Sequence, residues 1–175
     1  MSLQRKKFNA EDYGEDKMSK NQDVLPGMIS FSAENFLKIL ENLVVNFGSA
    51  GESMIFQMGR DAGRQYTSRV IEEIKEEMEL QSLFEAVIKQ SSTDGWANMS
   101  LKEFNPQNGS IEIVLMDNAF EPMCLKMHLP QCFFLRGYMS GIIKELTNMD
   151  YKFFSSQCYA KGDKDCSIRL IADLD

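Results

Sequence analysis

Apolar residues change their spacing once along this chain, and that change confines it to a mixed architecture. Up to residue 91 they recur every three or four positions, which is helical; from Gly95 onward two stretches alternate with a period of two, which is extended. Ser32 stands before Ala33, Glu34 and Asn35 as a cap, and Phe36, Leu37, Leu40, Leu43, Val44 and Phe47 form a helical stripe that stops at Gly48. After Gly51, the positions Ile55, Gly59, Ala62, Tyr66, Val70, Ile74 and Met78 step along one face and predict a helix over 52–79. The opposite side, with Glu72, Glu73, Lys75, Glu76 and Glu77, reads as its solvated face. Leu83, Phe84, Val87 and Ile88 predict a shorter third helix over 82–91.

The alternating stretches come as two hairpins. Residues 96–104 and 110–116 flank Asn105-Pro106-Gln107-Asn108-Gly109, whose Asn-Gly end favours a tight turn. Residues 151–159 and 165–172 flank Lys161-Gly162-Asp163-Lys164. Between the hairpins, a loop through Glu121-Pro122 leads to a helix after Pro130 with Phe133, Phe134, Tyr138, Ile142, Ile143 and Leu146 as its stripe. Helices, hairpin, helix, hairpin is the order of an α+β fold with helices on an antiparallel sheet. At 175 residues the chain has room for one core. We expect a polar N-terminal tail over 1–24, with five basic and five acidic residues, and a single domain over 25–175.

That tail is neutral, so the whole charge of −7 belongs to the remainder. An acidic surface disfavours direct nucleic-acid binding, which draws on clustered Lys and Arg. No apolar run is long enough to span a bilayer, and no apolar signal core follows the first residues, so a cytoplasmic location is expected. A single histidine, His128, leaves little room for imidazole catalysis. No glycine-rich dinucleotide fingerprint, P-loop or nucleophile–base pair is present, which makes an enzyme the weaker reading.

The cysteines carry the strongest chemical signal. If the second hairpin turns about Gly162, then Cys158 and Cys166 are equidistant from the turn and face each other. Cys132 opens the preceding helix and reaches the pair from the side, giving three soft ligands of the kind zinc takes. The same positions also suit three buried structural thiols.

The run Cys132-Phe-Phe-Leu-Arg-Gly137-Tyr138-Met-Ser-Gly141, followed by Cys158-Tyr-Ala-Lys-Gly162-Asp163-Lys-Asp-Cys166-Ser-Ile168, resembles the 4-vinyl-reductase-type, hydrocarbon-binding domain family. Gly59 and Gly63 fit that family's glycine-bearing helix more loosely. The resemblance implies a fold shared with TRAPP trafficking subunits, with helices over an antiparallel sheet around an apolar cavity, usually as a dimer. It implies a domain that binds a small hydrophobic molecule as a regulator or sensor, with zinc held by Cys132, Cys158 and Cys166. The family's fourth ligand, a glutamate, is here Ser155, so the fourth place falls to water or to another group such as Cys124 or His128. A regular strand would also send 155 and 158 to opposite faces, and a bulge near Ser155-Ser156 would be needed to unite them.

The 12 Met and 12 Phe supply adaptable apolar walls. Tyr138, Ile142, Phe153 and Trp96 are the candidate residues for the apolar ligand, Trp96 offering an N–H to a polar end. The resemblance also leaves two other readings: a metal-assisted enzyme of vinyl-reductase-related tetrapyrrole chemistry, and a TRAPP-like interaction scaffold. Phenol-sensing relatives carry a DNA-binding output domain, and nothing here reads as one, so the expected output runs through a signalling partner protein or a rearranged homodimer.

Overall fold

The computed structural model describes residues 32–74, 77–105, 109–127 and 132–173. The tail expected over 1–24, His128 and most of the first turn lie outside the described residues. Helix α1 (Ala33–Phe47) starts as the sequence predicts, the Ser32 hydroxyl accepting from the Asn35 N–H at 3.2 Å. Gly48, at φ +54°, separates it from α2 (Ser49–Glu73). Helix α2 ends six residues earlier than the sequence stripe suggests: Ile74 is extended and Met78 is exposed outside any helix. The acidic run after Val70 supplies no apolar contact to hold further turns against the core. Helix α3 (Leu80–Thr93) follows.

Strands β1 (Asn98–Asn105) and β2 (Ser110–Met116) pair antiparallel, as do β3 (Tyr151–Gln157) and β4 (Cys166–Ala172), and β2 pairs β4. The four-stranded order is β1-β2-β4-β3. Alternation decides which face is buried: Ile111, Ile113 and Leu115 of β2 sit opposite Leu170, Ile168 and Cys166 of β4, and all six are buried. The other face is polar, with Lys102 bonded to Glu112 at 2.8 Å and Arg169 to Glu103 at 3.4 Å. Two further helices lie between the hairpins. Helix α5 (Phe133–Thr147) was legible, whereas the short α4 (Glu121–Met127) occupies what reads in the sequence as a loop. Pro122 sits in its first turn, where the missing N–H costs nothing.

Helices α2 and α5 pack backbone to backbone. A Cβ on Gly59 would come within 2.1 Å of the Phe134 carbonyl oxygen, and one on Gly63 within 2.1 Å of that of Tyr138. From the other side, Gly137 and Gly141 meet the carbonyl oxygens of Phe56 and Arg60 as closely. These four glycines therefore fix the α2–α5 separation, at an intrinsic helix cost of about 1 kcal/mol each. The fully buried Leu135, Met139, Ile142 and Ile143 of α5 form the centre of the core.

Candidate functional site

Four sulfurs from four segments come together at one end of the sheet. The β3–β4 register puts Gln157 opposite Ser167, so Cys158, one step beyond, stands opposite Cys166 as the sequence symmetry about Gly162 requires. Gly162 adopts φ +84°, a left-handed turn that closes a short 3-10 segment at Tyr159–Lys161. The Asp163 carboxylate accepts from the Cys158 N–H at 2.8 Å and braces that turn. Cys132 caps the N-terminus of α5, and Cys124 lies on α4, which packs against the 3-10 segment. All four cysteines are free and buried.

Cys124 Sγ and Cys132 Sγ are 3.3 Å apart. Cys132 also interacts with Cys158, and Cys158 with Cys166. Hydrogen bonding to Cys124 and Cys158, with burial behind it, pushes the Cys132 thiol far up, while the bond from Cys132 pulls Cys158 down to about 6. An amide N–H of Ala160 and the Lys161 charge act on Cys158 in the same direction. Burial pushes Cys166 up to about 11, against a Tyr159 N–H that reaches its sulfur at 3.5 Å. A cavity of about 10 Å³ lies among Cys132, Cys158, Cys166, Arg136 and Leu115, about the room one water-sized sphere takes. The Arg136 guanidinium stacks 3.5 Å over the Phe153 ring and feels the charge of Cys132.

The donor chemistry suits a thiophilic ion, with soft sulfur throughout, amide donors aimed at two sulfurs and a buried cation beside a third. The spacing is that of thiols in contact with one another: two sulfurs about 2.3 Å from one tetrahedral zinc stand about 3.8 Å apart. Among the described residues no group of three or more His, Cys, Asp or Glu side chains stands at metal-holding distances, so closing on an ion takes sulfur shifts of about half an ångström at the Cys124–Cys132 pair. A bulge does occur in β3, between Phe153 and Ser155, but it falls before position 155 instead of after it. Position 155 therefore pairs with Arg169, whereas 156 pairs with Ile168 on the cysteine face. Sequence reasoning offered Cys124 only as an alternative, because its helix was read as a loop.

The second feature is aromatic. Trp96 stacks on Phe134 with ring centroids 5.2 Å apart, lies 6.1 Å from Phe120 and 5.6 Å from Tyr138, and takes the edge of Phe36 at 6.1 Å. Trp96 and Tyr138 then form, with Tyr66, the aromatic wall of an open cleft of about 520 Å³ whose rim carries Gln65, Arg69 and Glu72. Ser91 donates its hydroxyl proton to the Val87 carbonyl at 3.0 Å, so in its 2.9 Å contact with Tyr138 the tyrosine donates. Tyr66 donates to Asp94 at 2.7 Å. Both phenolic oxygens keep lone pairs for an incoming donor, and burial raises both above the ordinary tyrosine range, which holds them protonated. Of the other two candidates, Ile142 is wholly buried in the core and Phe153 lies under Arg136.

The comparisons with known proteins bear on the same elements. Residues 113–172 match the vinyl-4-reductase domain. That stretch runs from β2 through α4, α5 and β3 to β4, and so holds all four cysteines. The family read from the sequence is the one found. Among solved structures, the fold is similar to the phenol-responsive sensory domain of the transcription activator PoxR with phenol, at TM-score 0.72 and 16% identity over 83% of this chain and 76% of that one. It is also similar to a trafficking protein particle complex subunit 3 from Naegleria fowleri covalently bound to palmitic acid (TM-score 0.60, 14% identity, 81% and 95% covered). An H-NOX domain from Shewanella oneidensis in an Fe(II)CO state matches at TM-score 0.58 and 13% identity over 90% and 84% of the two chains. At these identities the likeness is one of fold: helices on a four-stranded antiparallel sheet, as the sequence order predicts. Comparison with curated proteins gives no match. Among the described residues no helix is long and apolar enough to cross a membrane.

Proposed function

We propose that this chain, through its vinyl-4-reductase domain, is a small-molecule-binding regulatory protein whose ligand, an apolar or aromatic molecule bearing a hydrogen-bond donor, docks against Trp96, Tyr66 and Tyr138. The observation that carries the reading is the pairing of that wall with two phenolic oxygens whose own protons are committed to Ser91 and Asp94. Such a wall takes up a ring by stacking and accepts a proton donor from it. The folds of the phenol-bound PoxR sensory domain and of the palmitic-acid-bound trafficking subunit support it, each accommodating a molecule with an apolar body and one polar end. In the same reading the cysteine cluster holds a structural zinc through Cys132, Cys158 and Cys166, the active unit is a homodimer, and the bound state passes to a signalling partner protein.

Trp96 is the only tryptophan, so its fluorescence reports the cleft directly. Titrating the purified protein with phenol as the probe should change that emission saturably and raise the melting temperature, and native mass spectrometry should detect co-purified apolar ligand. An emission that stays flat, with neither a melting shift nor a co-purified molecule, would reject the proposal. Sedimentation with and without phenol tests the homodimer.

A further inference from the structure

We propose that Cys124 is the fourth zinc ligand, giving a closed four-sulfur site that joins α4, the start of α5 and the β3–β4 hairpin. This rests on the reading that the cluster holds zinc, and it goes beyond it by assigning the remaining position and with it the character of the site. Three observations converge. Cys124 is buried and its sulfur is 3.3 Å from that of Cys132, so any ion that Cys132 binds comes within reach of Cys124. Helix α4, which carries it, packs on the Tyr159–Lys161 segment between the other two cysteines, and Cys166 feels the Cys124 charge. Position 155, the alternative, pairs with Arg169 rather than on the cysteine face, because the β3 bulge precedes it.

The charge environment also fits four thiolates better than three. Zinc with four thiolates carries a net charge of −2, which a buried site must offset. Arg136 lies beside Cys132, Lys161 acts on Cys158, and amide N–H groups of Ala160 and Tyr159 serve Cys158 and Cys166. As each S–Zn bond forms, the thiol proton leaves to solvent, so loading releases protons and tightens as pH rises. Four protein ligands leave no position for an activated water, which makes the site structural and sets aside metal-assisted hydrolysis at it.

X-ray absorption fine structure on the zinc-loaded wild-type protein counts the ligands without any substitution. Four sulfurs at about 2.3 Å are expected. Three sulfurs with one oxygen or nitrogen would overturn the role of Cys124 while leaving the zinc reading intact, and a protein that takes up no zinc would overturn both. Cys124→Ser supplies the second arm: zinc affinity should fall by more than about tenfold, and the thiolate-to-metal charge-transfer band of the cobalt-substituted protein should weaken. An unchanged affinity and an unchanged cobalt spectrum in a folded Cys124→Ser protein would overturn the assignment, again without touching the zinc reading.

Discussion

Tyr138 belongs to two assemblies at once. Its carbonyl oxygen is the surface against which Gly63 of α2 packs, and its hydroxyl ends in the cleft, donating to Ser91. Removing the hydroxyl separates the two roles. Tyr138→Phe keeps the ring and the helix contact, and Ser91 keeps its bond to Val87, so the stability loss should be about 1 kcal/mol. Phenol binding should suffer more, since one of the two acceptors in the wall disappears; a roughly tenfold weakening is expected from a hydrogen bond of ordinary strength. Denaturant unfolding together with a Trp96 fluorescence titration checks both, and full-strength phenol binding by the variant would place the ligand elsewhere. At this scale Cys158 and Cys166 were legible in the sequence because a hairpin turn is a symmetry element: once Gly162 marks the turn, the pair follows from counting. Cys124 was not, because its place depends on α4, seven residues whose only start signal is Glu121-Pro122.

Among the elements, the two hairpins and α1 were read nearly to the residue, since period-two alternation, an Asn-Gly turn and a serine cap are local signals. The end of α2 was overrun because a 3.6-residue stripe continues through Ile74 and Met78 although no partner surface lies there to bury them. The reason for Gly59 and Gly63 appears only when α5 is in place. Gly63→Ala gains about 1 kcal/mol in intrinsic helix propensity. It also sets a methyl group 2.1 Å from the Tyr138 carbonyl oxygen, where the obstacle is backbone and cannot rotate away. Pushing two packed helices apart costs about 1–3 kcal/mol in overpacking and in the looser fit of the side chains around it. We expect a net destabilisation of about 1–2 kcal/mol, read as a lowered denaturation midpoint. A midpoint that stays put or rises would mean that the α2–α5 separation is not set by these glycines.

At the scale of the whole molecule, α5 is the element that both candidate sites share. Cys132 caps it, Phe134 stacks on Trp96 within its first turn, Tyr138 forms the cleft wall a turn further on, and Gly137 and Gly141 lock it to α2. An ion that draws Cys132 toward Cys158 and Cys166 fixes the N-terminal end of this helix, and a ligand against Tyr138 and Trp96 fixes its middle. Each event lowers the ordering cost left for the other, which is positive coupling even with little change of shape. Coupling free energies are reciprocal, so zinc must strengthen phenol binding by the same factor by which phenol strengthens zinc binding. A factor of about five or more is expected for sites sharing one rigid helix. The phenol dissociation constant measured with zinc-loaded and zinc-stripped protein gives one side of the cycle, and a zinc competition titration with and without saturating phenol gives the other. Equal factors above unity establish α5 as the link. A factor of one on both sides would show that the cysteine cluster only braces the hairpin and takes no part in what the cleft binds.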